Sequence, residues 1–235
     1  MTNPLIVALD VPSAEMAVEL VEKLQGLGAG FKIGSELFTA AGPDLVKTIR
    51  RTGARVFLDL KFHDIPNTVA KAVAAAVRLD VQMLTIHASG GFEMMQAAEN
   101  SAQETAARTA KDVPLILGVT VLTSLDANGL TEIGVAPNMG EQVERLAMLA
   151  VRAGLRGLVC SALEAALLRQ IVPSTMQLVT PGIRPANSNG DDQKRTLSAA
   201  EAIAAGANWL VVGRPIYGAP NPREAAQKLL ESIHS

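Results

Sequence analysis

The chain has 235 residues, 49% hydrophobic and 3% aromatic, and its 21 lysines and arginines stand against 23 aspartates and glutamates for a formal charge of −2. That balance supplies no broad field for nucleic acid or an anionic membrane, and so few aromatic rings leave little surface for stacking bases; a local cationic pocket for one phosphate stays open. No unbroken apolar stretch is long enough to span a bilayer, and Met1-Thr2-Asn3-Pro4 leads into a strand-like run without a basic segment or signal-peptide core, so a soluble cytoplasmic protein is expected.

From there, short β-branched runs alternate with alanine-rich amphipathic segments. Strands are predicted over 6–10, 30–34, 55–61, 83–87, 115–122, 157–161, 177–181 and 209–213, and helices between them include 13–27, 66–79, 140–153 and 199–205. Strand-then-helix repetition implies parallel strands joined by helical crossovers. An open doubly wound sheet also fits that alternation. The number of units favours a single (β/α)8 TIM barrel occupying 1–235 as one domain, and so does the chemistry gathered at one kind of strand end. Asp10, Lys32, Asp59, Lys61, His87, Thr123 and Arg214 all fall at or just beyond predicted C-terminal strand ends, while the opposite mouth reads as bland.

The densest chemistry is Asp59-Leu60-Lys61-Phe62-His63-Asp64-Ile65-Pro66-Asn67-Thr68. Val56, Phe57 and Leu58 read as buried strand, and Pro66 can open the next helix, so the charges between them have little apolar packing to do. A solvated strand end with a capping acid would account for any one of them. In a regular strand, however, Asp59 and Lys61 share a face, which sets a carboxylate beside an ammonium, with Asp64 approaching from the turn. His63 then points away and is read as structural. His87 is read as packed or hydrogen-bonded, because no close histidine pair suggests a metal cage.

At the far end of the chain, Val211-Val212-Gly213-Arg214-Pro215-Ile216 follows the eighth strand. Loops after the last two barrel strands commonly bind phosphate; Gly213 permits close backbone approach, and Arg214 offers a forked pair of donors. The irregular segment 182–195 follows the seventh strand, where it is either a solvent loop or a cover over substrate, and Gly182, Arg184 and Gln193 would add polar contacts from it. Ser89-Gly90-Gly91 is a competing phosphate candidate but reads better as a turn and helix start. Cys160, the only cysteine, rules out an intrachain disulfide and a cysteine-based zinc site, and its apolar strand context makes it a buried thiol.

The 59–68 run resembles the active-site signature of the orotidine 5′-phosphate decarboxylase family. The resemblance extends, in family order, through Val7-Ala8-Leu9-Asp10, Phe31-Lys32-Ile33-Gly34, Val119-Thr120-Val121-Leu122-Thr123-Ser124, Thr180-Pro181-Gly182-Ile183-Arg184 and the Val211 to Ile216 segment, and so covers essentially the whole chain. It implies loss of the C6 carboxylate of orotidine 5′-phosphate as carbon dioxide to give uridine 5′-phosphate, the last step of UMP synthesis, with no metal and no organic cofactor.

The resemblance also implies residue roles. Lys61 is the proton donor near C6, and Asp59 orients it beside the departing carboxylate. Lys32 pairs with Asp59 and reaches the ribose, whose hydroxyls Asp10 binds. Asp64 and Thr68 cross a homodimer interface into the neighbouring subunit's site. Thr123 holds the pyrimidine with help from Ser124, Pro181 and Arg184 belong to the substrate-binding set, and Gly213, Arg214 and Gln193 grip the 5′-phosphate. Two other readings compete. Metal-dependent sugar-phosphate decarboxylases or aldolases share Asp-x-Lys-x-x-Asp but carry an acidic metal ligand where this chain has Lys32, with Glu36 nearby. A noncatalytic nucleotide-binding barrel would need the phosphate grip more than a placed lysine.

Overall fold

The computed structural model describes residues 3–184 and 197–233. Its parallel strands are β1 (Leu5–Ala8), β2 (Gly30–Gly34), β3 (Arg55–Phe62), β4 (Met83–His87), β5 (Leu115–Val119), β6 (Gly157–Val159), β7 (Gln177–Thr180) and β8 (Trp209–Val212). They pair in chain order, and β8 returns to β1 to close the barrel. Around them run α1 (Ala14–Lys23), α2 (Ser35–Arg51), α3 (Pro66–Arg78), α4 (Gly91–Thr109), α5 (Ala127–Glu132), α6 (Met139–Arg152), α7 (Ala162–Ile171), α8 (Ala199–Ala204), α9 (Arg214–Tyr217) and α10 (Pro222–Ser232).

Local chemistry sets the helix starts. Ser13 caps α1 by accepting the Met16 N–H at 3.3 Å, and Pro66 opens α3 at a position that needs no amide hydrogen. Helix α3 then buries Val69, Val73, Ala76 and Val77, a spacing that keeps one face against the sheet. Alternation along the strands divides the core in two. Leu5 and Val7 face the helices, whereas Ile6 and Ala8 join Phe57, Met83, Leu117, Val179 and Val211 inside the barrel.

The N-terminal mouth is closed by side chains. Arg55 lies over the Trp209 ring at 5.0 Å, and the Trp209 indole N–H donates to Gln177 Oε1 at 3.2 Å. Nearby, Asp80 takes Arg50 at 2.7 Å and Lys111 at 3.5 Å. This mouth is therefore charged rather than bland, but its charges are tied to one another and to the ends of structural elements.

Most element positions agree with the sequence reading, and the larger departures fall at C-terminal ends of elements: the helix expected over 13–27 closes at Lys23, and several strands stop early. Strand β5 stops at Val119 instead of 122: its partner β6 ends at Val159, whose carbonyl accepts the Thr120 N–H at 3.2 Å, and beyond that no ladder partner remains. Val121, Leu122, Thr123 and Ser124 are thereby freed to line a cavity. Strand β1 likewise ends at Ala8, so Asp10 stands on the loop. Most of 182–195 lies outside the described residues. Its flanks meet where Ile183 bridges Leu197 and the Arg184 N–H donates to the Leu197 carbonyl at 3.0 Å.

Candidate active site

A cavity of about 320 Å³ opens at the C-terminal mouth, within the size range of small-molecule sites. Its floor is apolar, made by Ala8, Phe57, Val119, Val159 and Val211, the inward residues of five strands. Its walls carry Asp10, Lys32, Asp59, Lys61, Thr123, Pro181, Arg184, Gly213 and Arg214, all predicted from sequence, together with Ser124 and Gly182.

Four of these form a chain of alternating charge. Lys32 Nζ lies 3.0 Å from Asp10 Oδ1 and 3.6 Å from Asp59 Oδ2, and Lys61 Nζ lies 2.8 Å from Asp59 Oδ1. The inner pair is sheltered, with side-chain exposures of 12% for Lys32 and 13% for Asp59, against 35% for Lys61 and 48% for Asp10. An acid and a base at the two ends therefore face the open cavity while the middle pair holds them in place. Burial by itself would push the Asp59 carboxyl up; the Lys32 and Lys61 ammoniums, with hydrogen bonds from Lys61 and Thr85, outweigh it and hold the group below its ordinary 3.8.

Backbone geometry makes room for this arrangement. A Cβ on Gly34 would stand 3.1 Å from Lys32 Nζ, so the glycine leaves the ammonium its berth. A Cβ on Gly213 would meet Tyr217 Cε1 at 3.3 Å and Asp10 Oδ2 at 3.5 Å, in keeping with the close approach expected there.

The regular-strand expectation for residues 59 to 61 requires correction. The β3 to β4 register shifts between Leu58 and Phe62, and Lys61 sits at φ 49°, in the left-handed region. The Asp59–Lys61 contact arises across this bulge, not from simple alternation along a strand. A second correction concerns the histidines: the His63 and His87 rings lie 5.3 Å apart, a pairing that 24 residues of separation conceal. Neither lines the cavity. Burial, His63 and Lys61 together hold His87 below its ordinary 6.5 despite the opposing Asp59 charge. Among the described residues, no group of three or more His, Cys, Asp or Glu side chains could hold a metal ion.

Asp64 and Thr68 do not enter the cavity of their own chain. Both are exposed, and Asp64 Oδ1 accepts the Ile65 N–H at 2.6 Å. Ile65 beside them is 67% exposed, unusual for so large an apolar side chain. Gln193 lies outside the described residues. Sequence reasoning missed Tyr217 and Leu122 on the cavity wall, and it gave Cys160 no place there, although this buried thiol lines the wall too. It also missed Thr85, fully buried on β4 and hydrogen-bonded to Asp59 and to the Lys61 backbone. A lone threonine in a β-branched strand carries no signal of such a role.

Fold and site together define a (β/α)8-barrel protein whose charged small-molecule site occupies the C-terminal mouth, where barrel enzymes keep their chemistry. Comparison with known proteins narrows this class. Residues 3–229 match the model of the orotidine 5′-phosphate decarboxylase / HUMPS family, and the chain belongs to that family. It is 51% identical over 235 residues to the orotidine 5′-phosphate decarboxylase of Opitutus terrae, covering 100% of both chains. The orotidine 5′-phosphate decarboxylase of Moorella thermoacetica is 49% identical, over 98% of this chain and 92% of the relative. Among solved structures, that of orotidine 5′-phosphate decarboxylase from Lactobacillus acidophilus superposes with a TM-score of 0.89 at 35% identity, covering 99% of this chain and 100% of that one.

Proposed function

We propose that this protein is a carboxy-lyase that converts orotidine 5′-phosphate to uridine 5′-phosphate and carbon dioxide, using its own charged side chains without a metal or organic cofactor. The observation that carries the reading is the Lys61 ammonium, facing the cavity 2.8 Å from the sheltered Asp59 carboxylate. Cleavage of the C6–carboxylate bond leaves its electron pair on C6. An ammonium at that atom stabilises the developing charge and then delivers a proton to it, so carbon dioxide leaves and C6 gains hydrogen. Asp59 orients Lys61, and Lys32 fixes Asp59 from the other side. No electron sink is needed because the site supplies preorganised charge.

The remaining roles follow the same reading. Asp10 and Lys32 take the ribose hydroxyls, and Thr123 and Ser124 hold the pyrimidine on the apolar floor. Pro181 and Arg184 flank the substrate, while Gly213, Arg214 and Gln193 hold the 5′-phosphate. The exposed Asp64, Ile65 and Thr68 support a homodimer in which this turn completes the neighbouring subunit's site. The protein works as a single cytoplasmic barrel domain, with no role in binding nucleic acid or membrane; no helix among the described residues is long and apolar enough to cross a membrane. Against a metal-dependent sugar-phosphate lyase stands Lys32, whose ammonium already occupies the space between Asp10 and Asp59.

Ultraviolet absorbance of orotidine 5′-phosphate, followed with and without excess chelator, tests the proposal. Equal turnover under both conditions is expected. Activity that vanished with chelator and returned with magnesium would favour the metal-dependent reading, and binding without turnover would favour a noncatalytic barrel.

A further inference from the structure

Between β3 and β4 the ladder pairs Leu58 with Leu84 and then Phe62 with Ile86, so four steps along β3 match two along β4. Lys61 lies in the slack at φ 49°, and its N–H donates to Thr85 Oγ1 at 2.9 Å. The hydroxyl has a single hydrogen of its own. Because the Lys61 N–H is a donor, that hydrogen is directed to the other neighbour, Asp59 Oδ1, at 3.0 Å. Thr85 is fully buried, so water cannot replace either bond. One hydroxyl on the adjoining strand thus holds the backbone of one charged cavity residue and the carboxylate of another, in the one irregular stretch of this strand pair.

We propose that Thr85 is a positioning residue for the decarboxylation, setting the distance and angle between the Lys61 ammonium and the Asp59 carboxylate through this hydroxyl. The inference rests on the reading of Lys61 and Asp59 given above. A core threonine that merely packs would interact through its methyl and tolerate loss of the oxygen. Here the oxygen accepts an N–H for which the shifted ladder offers no strand partner. It also donates to a carboxylate already held by two ammoniums. Burial would raise the Asp59 carboxyl, and the Thr85 bond acts with Lys32 and Lys61 to keep it low. Removing the hydroxyl therefore has two effects: Lys61 loses the anchor of its left-handed backbone, and Asp59 holds its proton to higher pH.

Thr85→Val keeps the shape and deletes both bonds, whereas Thr85→Ser keeps the oxygen and drops only a methyl. With orotidine 5′-phosphate as substrate, Thr85→Val should lower kcat by about 10- to 100-fold, the scale of a small misplacement of reacting groups, with KM changed far less. The acid limb of its kcat profile should move to higher pH, and Thr85→Ser should restore both kcat and the limb. Should Thr85→Val fail to fold, Thr85→Cys, whose thiol is a weak donor and acceptor of similar size, reads the same two quantities. Wild-type kcat with an unmoved acid limb in these variants would overturn the proposal. A lowered kcat with an unmoved limb and no rescue by serine would also overturn it, because that is the signature of general damage to packing. Absence of turnover in the wild-type protein would instead sink the decarboxylase reading beneath it, so the two failures are told apart by the control.

Discussion

Lys61 reaches Asp59 at 2.8 Å across a bulge that turns the lysine backbone to φ 49°. A non-glycine residue in that region is strained by roughly 1–2 kcal/mol, and the strain falls on the residue to which the chemistry is assigned. The contact is thus held by tertiary structure rather than by local preference.

Removing the Lys61 ammonium separates turnover from binding. Lys61→Ala should retain measurable affinity for uridine 5′-phosphate while kcat falls by at least about 1,000-fold, since both proton delivery and charge stabilisation are lost. Titration calorimetry together with the absorbance assay checks this. Near-normal turnover in a verified metal-free preparation would remove Lys61 from the proton-donor role.

Crowding at Gly34 should act on the same network from a distance. In Gly34→Ala the new methyl would stand 3.1 Å from Lys32 Nζ, so the ammonium must shift by a few tenths of an ångström from Asp10 and Asp59. Gly34 has φ −89°, which alanine accepts, so the expected change in thermal midpoint is small. A fall in kcat/KM of roughly tenfold is expected, because misplaced charge is penalised steeply in such sites. Unchanged kcat/KM would show that Lys32 has slack to yield.

Much of this architecture is legible in the sequence. Runs such as Met83-Leu84-Thr85-Ile86-His87 are bounded by turn residues and matched by the observed strand, and the charged strand ends mark the C-terminal mouth. What escapes the sequence depends on partners far along the chain. The bulged backbone at Lys61 is hydrogen-bonded to Thr85, 24 residues away, and the His63–His87 contact spans the same interval. The early end of β5 is set by the length of β6 rather than by any residue in 120–122. Thr85 and Tyr217 look like ordinary strand and helix residues until the barrel closes.

His87 gives the fold a pH dependence of definite sign. Its folded pKa lies below the ordinary 6.5, chiefly through burial, so in the window between the two values the unfolded chain binds more protons. Stability is therefore fully present above 6.5 and declines as pH falls through the folded value. His87→Gln should flatten this part of a denaturant-midpoint profile. The Asp59 contribution lies in a separate window below 3.8, again lost on acidification; because the Asp59 charge opposes the lowering of His87, Asp59→Asn should push the folded His87 value further down and widen the His87 window. A His87→Gln profile as steep as wild type just below 6.5 would assign the slope to other groups.

Phosphate recognition can be separated from the chemistry at Arg214, the first residue of α9, which lines the cavity directly after Gly213 at the end of β8. A guanidinium there offers two parallel donors to a phosphate, and truncating such a charge-assisted contact costs on the order of 2–4 kcal/mol. Arg214→Ala should therefore weaken uridine 5′-phosphate far more than uridine, because the nucleoside lacks the group that Arg214 is assigned to hold. With orotidine 5′-phosphate the loss should appear in kcat/KM. If kcat falls as well as KM rising, energy from the remote phosphate is used in the transition state rather than only in binding. The cycle needs four measurements, two proteins against ligands with and without phosphate, and the difference of differences isolates the phosphate contribution from any change in the barrel. Equal losses for uridine and uridine 5′-phosphate would mean that Arg214 supports the pyrimidine site or the α9 turn, and the phosphate would then have to be sought at another edge of the cavity.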